Sequence, residues 1–235
     1  MNKILADMHT HTIASGHAYA TLTEMCKEAA NKGLEIYGIT EHSSGIPGTC
    51  ADIYFQNLRV IPRDLFGLDL RLGAEINIID YNGTLDLGQE YIDRLDFVIA
   101  GIHSVCYKFG SKEENTAAII NAIKNPNVNI ISHPDDGCPL DYEALVQAAK
   151  EYHVLLEINN NALRDKNRKN VKENQKLIIE NCKKYNHPFI MGSDAHFTTD
   201  IANYDHCGPL VESMNVDNEL IMNYYPDRLR EFLRK

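Results

Sequence analysis

The chain is predicted to be an α/β protein, with helices packed on a mostly parallel sheet, and three observations carry that prediction. Seven short apolar runs of strand character recur along its 235 residues. Helical patterns lie between several of them, the arrangement expected of successive βα units. No internal repeat, low-complexity tract or Pro/Ser-rich linker marks a second domain, and a chain of this length buries one large core, so residues 1–235 are read as a single domain.

The strands are read, in order, at 4–9, 36–42, 70–77, 96–103, 128–133, 155–159 and 188–194. Between the first two, Thr21 and Glu24 have capping-box spacing. Leu22, Met25, Cys26, Ala29 and Ala30 then follow the i, i+3, i+4, i+7, i+8 pattern until Gly33 stops the helix. Residues 51–65, interrupted by Pro62, and 83–94 follow the helical period poorly, which leaves their boundaries open by several residues. Thr116, Ile119, Ile120 and Ile123 form a clear stripe, as do Leu145, Ala148, Ala149 and Tyr152 behind Asp141 as N-cap; both helices are expected to face the sheet. Residues 225–235 read as a closing amphipathic helix.

Composition narrows the function. Hydrophobic residues make up 44% and charged residues 24%, with no apolar stretch near the ~18 residues of a membrane span. The N-terminus lacks the long apolar region of a secretory signal. The six cysteines are widely spaced without a C-x-x-C pair, the pattern of reduced thiols in a cytoplasm. A net charge of -10 with no basic stripe disfavours nucleic acid as a partner. An anionic substrate would need positive charge supplied locally.

The strand ends show where that charge could be held. Side chains at i and i+2 of a strand share a face, so His9 and His11 in DMHTH can address one point. Six of the seven runs end in or run into a potential metal ligand: His9, His42, Glu75, His103, His133 and Asp194, with His196 two residues further on. In one parallel barrel these would share the C-terminal rim, where such barrels place their chemistry. His17 falls in a loop on that rim, whereas His153 and His187 precede their strands and belong to the opposite rim, and His206 lies in a late loop. Neutral imidazole with carboxylate is a usual ligand set for zinc, iron or manganese.

The stretches DMHTHTIASGHAYATL, GITEHS, GAEINI, IAGIHS, IISHP, LEINN and MGSDAH, in this order from Asp7 to His196, resemble the PHP (polymerase and histidinol phosphatase) family, most closely its YcdX-type phosphatases. The resemblance implies a distorted (β/α)7 TIM-like barrel with three divalent ions at its C-terminal mouth, zinc first, with manganese or iron as alternatives. It would place one ion on His9, His11, Glu75 and Asp194, a second on Glu75, His103 and His133, and a third on His17, His42 and His196. Three such ions against two carboxylates would leave roughly +4 in the pocket. The chain departs from the family pattern at Glu41, where aspartate is more frequent, and at Ala195, where serine is frequent. Glu41 bears on hydrogen bonding around His42.

The expected activity is hydrolysis of a small-molecule phosphomonoester by a metal-bridging hydroxide, with no covalent enzyme intermediate. Glu75 and Asp194 are the catalytic carboxylates within the ligand set. Asp7 either orients a ligand beside them or is a solvated strand-end aspartate. Asn159, Asn160 and Asn161 are candidates for substrate hydrogen bonds or for a polar turn, and Arg59 and Arg63 for phosphate binding or a surface role. A histidinol-phosphate phosphatase would use the same cluster with a different pocket. An amidohydrolase-like deaminase or lactonase would favour a lysine where His103 stands. A non-catalytic PHP module that binds metal or a partner is the reading from another class. No membrane partner is expected, and a homo-oligomer is compatible with the sequence.

Overall fold

A computed structural model describes residues 2–166 and 168–233. Its strands are β1 (Ala6–Asp7), β2 (Ile36–His42), β3 (Asp69–Asn77), β4 (Val98–Gly101), β5 (Val128–Ile131), β6 (Leu155–Asn159) and β7 (Ile190–Gly192). All pair in parallel in sequence order, β1 through β7, curling into a nearly closed barrel. The helices are α1 (Leu22–Asn31), α2 (Ile53–Asn57), α3 (Gln89–Ile92), α4 (Lys112–Ile123), α5 (Tyr142–Tyr152), α6 (Asn160–Arg164), α7 (Val171–Tyr185), α8 (Cys207–Ser213) and α9 (Pro226–Leu233). The expected closing helix is α9, and positions 234 and 235 lie outside the described residues.

Local chemistry starts these elements where the sequence places them. Thr21 and Glu24 close the capping box of α1, Ser111 and Glu114 close another on α4, and Asp141 caps α5 by accepting from the Ala144 amide. Several strands are shorter than their apolar runs. Beyond β5 and β7 the backbone enters the left-handed region at His133 (φ 27°) and Asp194 (φ 53°), which ends the ladder and turns the side chain toward the barrel mouth. At β4 the ladder is bulged, and the Val98 amide donates to Asn129 Oδ1 at 3.0 Å in place of a strand carbonyl.

The long helix α7 is an addition to the sequence reading. Its buried residues Val171, Gln175, Ile178, Ile179 and Cys182 keep a helical spacing, but the surrounding Lys, Asn and Glu dilute it, and Gln175 faces inward as a polar member. The six cysteines are unpaired, and no described helix is long and apolar enough to cross a membrane.

Two apolar regions hold the barrel. The larger lies between strands and outer helices; the smaller fills the lower barrel with Ala6, Met8, Ile36, Phe97, Ile99, Ile130, Leu155 and Ile190, capped by Met222 and by Leu229, Phe232 and Leu233 of α9. The last helix thus plugs the N-terminal end, and the polar site has the opposite mouth to itself. His153 stacks on Phe232 at 3.8 Å between ring centroids, so it does belong to the plugged end.

Between β1 and β7 the ladder is reduced to one bridge, Thr10 with Ala195. Asn223 fills the gap: its amide donates to Ala6 O (2.9 Å) and Met191 O (2.8 Å), while its side-chain oxygen accepts from the Met191 amide (2.8 Å). One side chain therefore replaces the missing strand pairing at the seam.

Candidate metal centre

Parallel register brings the ligating groups together. His42 at the end of β2 stands opposite Glu75 of β3, and the residues just past β1, β4, β5 and β7 supply His9, His11, His103, His133, Asp194 and His196. All eight converge at the open mouth, and His17 joins them from the loop after β1. Glu75 is the centre. Its Oε1 lies 2.7 Å from His133 Nε2 and 3.3 Å from His103 Nε2, and its Oε2 lies 3.1, 3.4 and 3.0 Å from nitrogens of His9, His11 and His42. Asp194 Oδ1 is 3.3 Å from His11 Nε2, 3.6 Å from His9 Nε2 and 3.5 Å from His196 Nδ1. The His17 ring lies 5.1 Å from that of His42 and 4.9 Å from that of His196.

Three trios, His9/His11/Glu75, His42/Glu75/His103 and His11/His42/His196, each place their ligand atoms within 4.8 Å of one another. His11 and His42 each belong to two trios, so the cluster is more interleaved than the grouping implied by the resemblance.

The groups behind the candidate ligands orient the rings toward the centre. Ser15 Oγ donates its one hydrogen to Glu41 Oε2 (2.6 Å), so toward His11 Nδ1 (3.1 Å) it accepts; His11 is protonated at Nδ1 and turns the Nε2 lone pair inward. Glu41 also accepts from the Thr12 hydroxyl and amide. It therefore serves the His11 loop, and it reaches His42 only through Ser15, whose Oγ accepts the His42 backbone N–H. Asp7 is buried and does not line the cavity. Its carboxylate accepts from Ser193 Oγ (2.5 Å) and from the amides of Ser193 and Ala202, anchoring the turn that carries Asp194. Asn159 and Asn161 direct their amides at Asp194 Oδ2 (3.4 Å each), whereas Asn160 Oδ1 accepts from the amides of His206 and Cys207.

A residue outside the expected set is Glu157 of β6. It is buried, with Oε1 2.7 Å from His9 Nδ1 and Oε2 accepting from the His133 amide (2.8 Å) and from Asn159 Nδ2 (3.0 Å). The signal available in sequence was a charged residue in the middle of the apolar run LLEIN.

Charge is distributed as a cation would require. Burial alone would raise the Glu75 carboxyl, yet His9, His42 and His103 outweigh it and hold Glu75 well below the usual carboxylate range; Asp194 is likewise held down, burial being outweighed by His9 and His11. Burial and neighbouring imidazoles push His11 well down, and His17 and His103 are lowered too, chiefly by burial. For His9 the carboxylates of Glu157, Glu75 and Asp194 overcome burial and raise its pKa, and Glu75 does the same for His133, to about 9. Ionised Glu75 and Asp194 beside the imidazoles of His11, His17 and His103, which burial keeps neutral, are a donor set divalent cations take; a cation would displace the protons that the neighbouring carboxylates draw onto His9 and His133. Among the described residues, Glu75 Oε2 and His42 Nδ1, which face each other at 3.0 Å, are buried without a hydrogen-bond partner, so the protein leaves donor capacity that a cation can use. The residues present fit the metal ions the resemblance implies.

Above the cluster is a cavity of about 730 Å³, within the range of small-molecule sites. Ile46, Val105 and Phe109 line it along with Asn161, Arg168 and Lys169. Arg168 Nε pairs with Asp136 Oδ1 at 2.9 Å, and its Nη1 is buried with no hydrogen-bond partner among the described residues. The two arginines singled out in the sequence are elsewhere. Arg63 is committed to Asp96 and to the carbonyls of Leu58 and Ile61, and Arg59 lies along a separate groove.

The PHP domain description matches residues 7–229. A protein of Caldicellulosiruptor saccharolyticus named "Probable phosphatase" is 49% identical over 233 residues, covering 97% of this chain and 95% of its own. A relative of the same name in Acetivibrio thermocellus is 42% identical over 234 residues, covering 99% and 96%. Among solved structures, a histidinol phosphate phosphatase from Lactococcus lactis, complexed with zinc, L-histidinol and phosphate, shares the fold with a TM-score of 0.62 at 18% identity, over 91% of this chain and 95% of that one.

Proposed function

Because the chain belongs to the PHP domain family, we propose that it is a metal-dependent phosphatase hydrolysing small-molecule phosphomonoesters, with three divalent ions at the strand ends. The observation that carries this reading is Glu75, a fully buried carboxylate with nitrogens of His9, His11, His42, His103 and His133 all within 3.4 Å. Hydrogen bonds alone leave its Oε2 without a partner. Two relatives at 49% and 42% identity bear the name of probable phosphatases, and the Lactococcus protein of this fold holds zinc, which puts zinc ahead of manganese and iron.

In this reading His9, His11, Glu75 and Asp194 hold one ion, Glu75, His103 and His133 a second, and His17, His42 and His196 a third. When bound, such ions supply a water made nucleophilic near neutral pH and positive charge against the phosphoryl oxygens. The chain's own groups do the rest. Arg168, on the cavity wall with its Nε paired to Asp136, supplies fixed positive charge to the phosphoryl group. Asn161, on the cavity wall, holds Asp194 in place. Ile46, Val105 and Phe109 present an apolar wall to the organic part of the substrate and limit water around it. Asp7 acts from beneath, through the turn that carries Asp194.

The test is to measure metal content and to assay p-nitrophenyl phosphate with a panel of sugar phosphates, nucleotides and histidinol phosphate, with and without chelator. Chelator-sensitive turnover is expected; full metal occupancy with no turnover of any phosphoester refutes the reading. Glu75→Gln separates an enzyme from a binding module, since an enzyme loses about 100-fold or more in turnover while remaining folded.

A further inference from the structure

We propose that Glu157 is the positioning residue that keeps two of the ion sites in register, and that Gly192 exists in β7 to make room for it. The proposal rests on the metal-centre reading above. It starts from an otherwise costly arrangement: a carboxylate buried in the barrel wall, with no lysine or arginine paired to it among the described residues. Its three hydrogen-bond partners among those residues all belong to the ligand framework. His9 Nδ1 lies at 2.7 Å, the His133 amide donates at 2.8 Å, and Asn159 Nδ2 donates at 3.0 Å while also facing Asp194 Oδ2 at 3.4 Å.

Each contact has its own consequence. A carboxylate can only accept, so Glu157 fixes the His9 proton on Nδ1 and leaves Nε2, the atom 3.1 Å from Glu75, free to ligate. The His133 amide belongs to a residue at φ 27°, and the bond from Glu157 restrains the backbone in that unfavourable conformation. One side chain therefore orients a ligand after β1 and another after β5, which serve different ions in the proposed site. The space for it is specific. A Cβ built on Gly192 would stand 1.7 Å from Glu157 Oε1 and 2.6 Å from its Cδ, so any other residue at 192 must displace the carboxylate.

Glu157→Gln keeps the shape but makes one of the two oxygens an NH2 group. Wherever that group points, a donor meets His9 Nδ1–H or the His133 amide, and facing His9 it drives the imidazole proton onto Nε2, the ligating atom. The experiment compares wild type, E157Q, G192A, E157D and E157D/G192A for folding by circular dichroism, for zinc affinity by competition with a chromophoric chelator, and for the His9 tautomer by ¹⁵N NMR. Wild type should show His9 protonated at Nδ1. E157Q should fold, lose that signature and hold zinc about 10- to 100-fold more weakly. G192A should cost affinity in the wild-type background and almost nothing in the E157D background, where the shorter side chain withdraws from the clash. If E157Q does not fold, the E157D/G192A cycle carries the test. Wild-type zinc affinity and His9 signals in E157Q, or strictly additive effects in the cycle, overturn the proposal. A wild-type protein that binds no metal overturns the metal-centre reading instead.

Discussion

Stripping the divalent ions from the proposed centre should lower the melting temperature by an amount that follows from the size of the chain. A cation present at about 100 times its dissociation constant stabilises the folded state by about 2.7 kcal/mol. At roughly 2.1 cal/mol/K per residue, the 235 residues give an unfolding entropy of about 0.5 kcal/mol/K. Each ion is then worth about 5 °C, and three together roughly 15 °C. The direction follows from ligands that bind the cation in the folded chain only: Glu75 and Asp194 are buried and converge with the histidines there and are dispersed once it unfolds. Scanning calorimetry of protein as purified, after chelation, and after reloading with zinc, each with metal content measured, tests this. Equal melting temperatures in preparations whose metal content differs would refute the assignment of these residues as ligands.

Burial lowers His187 to about 4 against an ordinary 6.5, so the unfolded chain takes its proton first; the resulting stabilisation is complete above pH ~6.5 and is lost as pH falls toward 4. The stability difference between wild type and His187→Gln should change by about 3 kcal/mol across that window in denaturant titrations, and a constant difference would refute it. Arg168→Met should raise KM for phosphoesters and weaken inhibition by inorganic phosphate by about 10- to 100-fold, the worth of a charge-assisted hydrogen bond; unchanged phosphate inhibition counts against a substrate role. Asn223→Ala leaves Ala6 O and both backbone groups of Met191 without their present partner, so a loss of about 2 kcal/mol or more is expected, and a melting temperature within about 1 °C of wild type is the contrary result.

What could be read from sequence was whatever a single residue or its spacing decides. The caps of α1 and α5 and the ligands at strand ends are local signals, and the parity of His9 and His11 needs only the geometry of an extended chain. The first and last strands could not be bounded in this way, because β1 pairs with β2 over two residues only, and on its other side Asn223, more than 200 residues away, takes the place of a ladder to β7. Glu157 was hidden for a similar reason: its neighbours Leu155, Leu156 and Ile158 give an ordinary buried strand, and its charge makes sense only once His9 and His133 are seen to meet it. Arg63 misled in the opposite direction, a cation whose partner Asp96 lies 33 residues on and at the wrong end of the barrel for phosphate.

The seam between β1 and β7 also orders events in the life of the polypeptide. The candidate ligands nearest it, His9 and His11 on one side and Asp194 and His196 on the other, lie far apart in the sequence. A ribosome exposes the first pair long before the second, and Asn223 later still. The proposed pocket therefore has no complete set of donors until both sides of the seam have left the ribosome, so cation loading would have to follow, not accompany, the emergence of His9 and His11.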